Sequence, residues 1–143
     1  MPAPSLEFEV QTQRFNYTEV KPHFINPRCF GEDFAAWLAA ALAPLVAEGY
    51  EISEPSQEDY GWGFWVTRGK TTIWIAICPL LEPEDPREAR PPSGTGQWLV
   101  IIAEEFGLNP LRHLFQRPNP TLVQTVGRAV KESLQREPDI TIV

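Results

Sequence analysis

The sequence predicts a two-layer α+β domain, with a mainly antiparallel sheet and two principal helices packed on one face. Three observations predict this fold. The length of 143 residues is that of one domain, so we treat residues 1–143 as a single unit. Hydrophobic residues make up 43% of the chain, which is enough for a packed core. Short segments with the two-residue period of strands occur together with two segments of helical period.

The first predicted strand has the alternation of a half-exposed strand. Its apolar positions are Leu6, Phe8 and Val10, and its polar positions are Glu7, Glu9 and Gln11. The alternation resumes at Phe15 and Tyr17, so we expect the strand to continue to them.

The first predicted helix has an apolar stripe at steps of three and four residues. Glu32 and Asp33 lie in its first turn, where the helix dipole favours anions, and Gly49 is a typical stop. Pro44 would remove a backbone hydrogen bond, so we expect a kink or a break there. The stripe consists of Phe34, Trp37, Leu38, Ala41, Leu42, Leu45 and Val46.

Three further strands are predicted at 64–67, 72–78 and 97–103, with a turn at 68–70 between the first two. The last two strands are apolar on both faces, which predicts central strands covered at least partly on both sides. Two helices cover one face easily and the other only partly. An apolar face left over in this way suggests a partner or a ligand.

The rest of the chain consists of loops and one more helix. Residues 79–96 contain five prolines and predict a long exposed loop, and residues 106–118 predict one or two helical turns. Asn119 as cap and Pro120 at the first position predict the start of the last helix, and Pro138 predicts its end. Its inward positions are Val123, Val126, Val130 and Leu134, and a closing strand follows at Ile140, Ile142 and Val143.

Bulk properties argue against several classes of partner. The net charge of −7 disfavours a general nucleic-acid binder, because neutralising phosphates requires clustered Lys and Arg. No apolar run reaches the ~20 residues of a membrane span. The N-terminus lacks the features of a secretory signal, so we expect a cytoplasmic protein with reduced Cys29 and Cys78.

No motif defines a catalytic, cofactor or metal site. His23 and His113 stand alone, without a second ligand at the spacing that a metal requires. Cys29, beside Arg28 and before a helix, is the one candidate nucleophile. We therefore favour a non-enzymatic protein without a cofactor.

The most informative segment is acidic and aromatic. No Lys or Arg occurs between Arg28 and Arg68, whereas seven acids do. Such charge beside aromatic side chains suits a protein partner, and a basic partner in particular. A concrete version is an inhibitor or immunity-type protein that binds a basic toxin or nuclease through segment 54–65 and the sheet edge. The predicted surface consists of Glu54, Glu58, Asp59, Tyr60, Trp62, Trp65, Trp74 and Trp98.

Three alternatives stay open. In the first, most of the tryptophans simply belong to the core. A small-ligand pocket or weak hydrolase between the sheet and the proline-rich loop would use Trp74 and Trp98, with Cys29, Glu58 and His113 as its polar groups. A homodimer would cover the leftover apolar face with a second copy.

Parts of the chain resemble a group of small uncharacterised bacterial proteins. The resemblance lies in Cys-Phe-Gly-Glu-Asp at 29–33, Glu-Asp-Tyr-Gly-Trp at 58–62 and Leu-Phe-Gln-Arg at 114–117, where Gln116 replaces a glycine of the group. It spans roughly residues 25 to 140 and implies a bacterial cytosolic protein. It implies no activity.

Overall fold

The computed structural model describes residues 5–15, 21–23, 30–58, 61–80, 96–105 and 119–143. Within them the chain forms an α+β fold around one seven-stranded sheet that curls as a half-barrel. The strands are β1 (Ser5–Gln11), β2 (Glu51–Ile52), β3 (Ser56–Glu58), β4 (Gly61–Arg68), β5 (Thr71–Pro79), β6 (Gln97–Glu105) and β7 (Thr141–Ile142).

The strand order is β2-β4-β5-β6-β1-β7, with β3 pairing β4 beside β2, and every pairing is antiparallel. The prediction of a mainly antiparallel sheet is therefore confirmed for the described residues. The long strands β4, β5, β6 and β1 form the centre, and the edges consist of two- and three-residue strands. Short edge strands offer little template for unwanted pairing.

The first helix breaks where the proline predicts. Helix α1 spans Glu32–Ala41, and a 3₁₀ helix follows over Ala43–Glu48 with Pro44 in its first turn. Gly49 ends this segment in the left-handed conformation, at φ 94°. Two helical pieces at an angle can follow the curved sheet better than one straight helix.

The last helix, α2, spans Pro120–Gln135 and is capped as predicted, since the Asn119 side chain accepts a hydrogen bond from the Leu122 N–H at 3.2 Å. A second acceptor comes from the sheet. The carboxylate of Glu104 in β6, only 2% exposed, accepts the Asn119 N–H with both oxygens at 2.8 Å. The helix start is therefore joined to a central strand.

Both helices pack on the sheet face that we call the inner face. Its strand residues belong to one apolar cluster with Phe34 and Leu38 of α1 and Val126 and Val130 of α2. Burial of a large apolar side chain contributes about 1.5–3 kcal/mol, so this cluster is the main source of stability. The fully or almost fully buried strand residues are Val10, Phe64, Val66, Ile73, Ile75, Ile77, Trp98, Val100 and Ile102.

Three details differ from the sequence expectations. β1 ends at Gln11, and Phe15 leaves the strand to stack on Phe34 at 4.2 Å between ring centroids. Val46, expected to face inward, is 55% exposed because the break at Pro44 rotates the stripe. The sequence pattern does not predict β2 and β3, because strands of two or three residues are too short to show a periodicity.

Other expectations fall outside the described residues. Tyr17, the loop interior at 81–95 and the segment 106–118 are among them. The two-layer arrangement stays a prediction, since the sheet curls as a half-barrel. None of the helices in the described part is long and apolar enough to cross a membrane.

Candidate functional site

Strand β4 places neighbouring aromatic residues of the segment 54–65 on opposite faces of the sheet. Alternate residues of a strand point to opposite sides. Trp62, Phe64 and Val66 pair with the inward-facing isoleucines of β5, whereas Trp65 pairs with Trp74 on the outer face. Residues adjacent in the sequence therefore contribute to different surfaces.

The predicted surface residues consequently have very different exposures. Trp65 is 39% exposed, and Glu54 and Glu58 are exposed too. Trp62, Trp74 and Trp98 retain 6%, 8% and 0% of their surface, so they offer a partner little or no contact area. Asp59 and Tyr60 lie outside the described residues.

On the outer face the Trp65 ring packs against the ring of Trp74. Its ring centroid lies 4.6 Å from that of Trp74, with the planes inclined by 53°. Trp74 in turn covers Gly63, because a Cβ at that glycine would lie 2.3 Å from a Trp74 ring atom. An indole packed in this way has little rotational freedom to lose on binding.

Apolar and small side chains continue the outer face away from Trp65. Ala76 is buried, while Cys78 in β5 and Leu99, Ile101 and Ala103 in β6 are half-buried. The register joins them to the Trp pair, since Trp74 lies opposite Ala103 and Ala76 opposite Ile101. The face is therefore apolar at its centre and keeps part of that centre accessible.

Carboxylates surround this apolar centre. The pairings place five exposed glutamates on the outer face, and no Lys or Arg lies on this face in the described strands. Arg68, at the end of β4, is in register with the inner-face residues of that strand. Its guanidinium carbon lies 5.4 Å from the centroid of the Tyr50 ring. The acidic rim consists of Glu7, Glu9, Glu51, Glu58 and Glu105.

Only Glu58 of this rim belongs to the predicted surface. The alternation of β1 could have indicated Glu7 and Glu9 as outward residues. What the sequence does not show is that β1 pairs with β6, which brings these acids to the same face as Trp65.

A second feature is an open groove of about 460 Å³ on the other side of β4. One wall is the outer side of α1 and the 3₁₀ helix, with Ala36, Ala39 and Val46. The other wall is the chain between β2 and β3, including Glu54, and Trp62 contributes to the lining. The groove thus combines an apolar lining with carboxylates.

The catalytic candidates are not brought together in the described part of the chain. Cys29 and His113 lie outside it, and Cys78 is half-buried on the outer face. His23 Nε2 pairs with the Glu32 carboxylate at 2.6 Å, and its ring meets Trp62 edge-on at 6.3 Å. Within the described ranges, no three His, Cys, Asp or Glu side chains are placed to hold a metal.

Comparison with known protein families, curated proteins and solved structures gives no match for this chain.

Proposed function

We propose that this protein is a non-enzymatic interaction module that binds a basic protein partner through the outer face of its sheet. An inhibitor or immunity-type protein for a basic toxin or nuclease is the concrete version. The observation that carries the proposal is the exposed Trp65 on an apolar face rimmed by five glutamates. Tryptophan is enriched among the residues that dominate binding energy, and complementary charge speeds association.

The acidic rim favours a basic partner over a second copy of the chain. A symmetric dimer through this face would place five glutamates of one copy against the same five of the other. Like charges that face each other across an interface cost free energy. A partner with Lys or Arg around an apolar centre removes this repulsion and gains attraction.

The alternative is a small-ligand domain or weak hydrolase with a pocket between the sheet and the proline-rich loop. That loop lies outside the described residues, and the groove of about 460 Å³ is elsewhere, between α1 and the β2–β3 connection. The groove therefore places a candidate ligand site at a different position from the one that this alternative requires.

Peptides of defined charge test the proposed surface chemistry. We expect a short peptide alternating Lys and Leu to bind, and matched Glu/Leu and Lys/Ser peptides to bind at least about tenfold more weakly. Binding is measured by fluorescence anisotropy at low and physiological salt, where screening should weaken the Lys/Leu complex steeply. Affinity that is independent of ionic strength would contradict the proposal.

Variants locate the binding site of the peptide. Trp65→Ala removes the exposed indole and Glu105→Gln removes one rim charge, so both should weaken the Lys/Leu complex. Glu48→Gln is the matched control, because this exposed glutamate lies in the 3₁₀ helix, away from the outer face. Equal losses for Glu105→Gln and Glu48→Gln would reduce the effect to net charge and overturn the assigned surface.

A further inference from the structure

The groove between α1 and the β2–β3 connection has the chemistry of a site for organic ammonium ions. We propose that it binds a small cation with an apolar body, such as an arylalkyl ammonium. This site is separate from the outer face, and its occupancy does not depend on the proposed protein partner.

The size and the lining of the groove suit such a ligand. A volume of about 460 Å³ lies within the roughly 300–1,000 Å³ typical of small-molecule sites. Ala36, Ala39 and Ala43 have side chains too small to fill the wall, which leaves room for an aliphatic or aromatic body. Val46 and Ile52 supply larger apolar contacts, and Val46 is 55% exposed without a ligand.

The polar groups of the groove select for positive charge. Two of its lining residues, Glu32 and Glu54, carry carboxylates, and among the lining residues that the structure describes none is Lys or Arg. Trp62 is only 6% exposed and contributes the accessible part of its indole to the apolar lining. Carboxylates beside an apolar lining therefore suit an ammonium ion that has an apolar body.

Within the described residues, His23 is the only basic side chain that pairs with a carboxylate of the groove. Its Nε2 lies 2.6 Å from a Glu32 oxygen, so it occupies one oxygen of one carboxylate. Glu54 is in an exposed loop on the opposite wall. An ammonium ion that binds between the walls can therefore contact Glu54 while the His23 contact persists.

The test uses phenethylammonium chloride and its neutral analogue, phenethyl alcohol, with the full chain. Each is titrated into ¹⁵N-labelled protein, and the Trp62 indole N–H resonance is assigned with Trp62→Phe. We expect the ammonium compound to shift this resonance and the amides of Ala39 and Ile52, at about millimolar affinity. The alcohol should bind several-fold more weakly, because it lacks the charge.

Charge variants separate a specific site from general attraction. Glu54→Gln and Glu32→Gln should each weaken the ammonium compound about two- to fivefold, as expected for a half-exposed ion pair. Glu48→Gln should leave its affinity unchanged. Ala39→Leu, which fills the groove without a change in charge, should weaken both compounds.

Trp65→Ala separates this inference from the proposed function. It should abolish most binding of the Lys/Leu peptide and leave phenethylammonium binding intact. Equal affinity for the ammonium compound and the alcohol, or chemical-shift changes centred on Trp65, would overturn the ammonium site. If only the peptide experiment failed, the proposal of an ammonium site would be unaffected.

Discussion

The two faces of the sheet carry similar residue types in different surroundings. On the inner face Phe64 and Trp98 are completely buried in the cluster that includes residues of both helices, and the acid Glu104 is 2% exposed. On the outer face Trp65 keeps 39% of its surface, and Glu105 is exposed. The same side-chain chemistry therefore stabilises the fold on one side and remains available for binding on the other.

The difference follows from which face the helices cover. In β4, β5 and β6 the apolar side chains on the covered face lose almost all contact with water, whereas the outer face retains half-buried residues such as Ile101. Free energy that burial could have contributed to folding is thus still available for association. This is the physical basis for assigning stability to one face and recognition to the other.

The neighbours Phe64 and Trp65 provide the largest expected contrast. Phe64→Ala empties a fully buried position and should lower the free energy of unfolding by about 3–5 kcal/mol. Trp65→Ala removes a larger side chain but one already in contact with water, so the loss should stay below about 1.5 kcal/mol. Urea unfolding followed by circular dichroism measures both. Equal losses would remove the distinction between the faces.

A second contrast uses the adjacent acids of β6. Glu104→Gln keeps an acceptor for the Asn119 N–H but replaces a charge-assisted hydrogen bond and adds a buried N–H₂ group. We expect a loss of about 1–2 kcal/mol in the free energy of unfolding. The exposed Glu105→Gln is the control and should change stability by less than about 0.5 kcal/mol. A Glu104→Gln variant as stable as the wild type would show that the contact between β6 and α2 contributes little to the free energy of unfolding.

Much of the fold can be predicted from local patterns. The alternation in β1, the break at Pro44 and the Asn119 cap each depend on a few neighbouring residues, and the structure confirms them. The exit of Phe15 from the strand and the exposure of Val46 depend on tertiary packing, so the sequence gives no direct signal for them.

The candidate site is harder to predict, because β4 and β5 carry aromatic residues at both parities. Trp62 and Trp65 are equally aromatic, and only the position of the helices decides which one is covered. The acidic rim depends on strand pairing, since Glu7 and Glu105 are far apart in the sequence and share the outer face only because β1 pairs with β6. Charge and composition indicate an acidic surface without showing which residues form it.

The smallest expected effect has the opposite sign and concerns the acidic rim alone. Glu7 and Glu9 are two residues apart in β1 and point to the same side of the strand. Because like charges close together on one sheet face repel, Glu9→Gln should raise the free energy of unfolding by about 0.2–0.5 kcal/mol at low salt. The gain should vanish at high salt, where the Debye length falls to about 3 Å. Thermal unfolding of wild type and Glu9→Gln at both salt concentrations measures this difference.

A gain in stability that persists at high salt would have a cause other than repulsion between the glutamates. A loss of stability would mean that the charges of the rim do not destabilise the free protein. The predicted sign matters for the proposed function, because the basic partner that we propose would relieve the repulsion within the rim of the free protein.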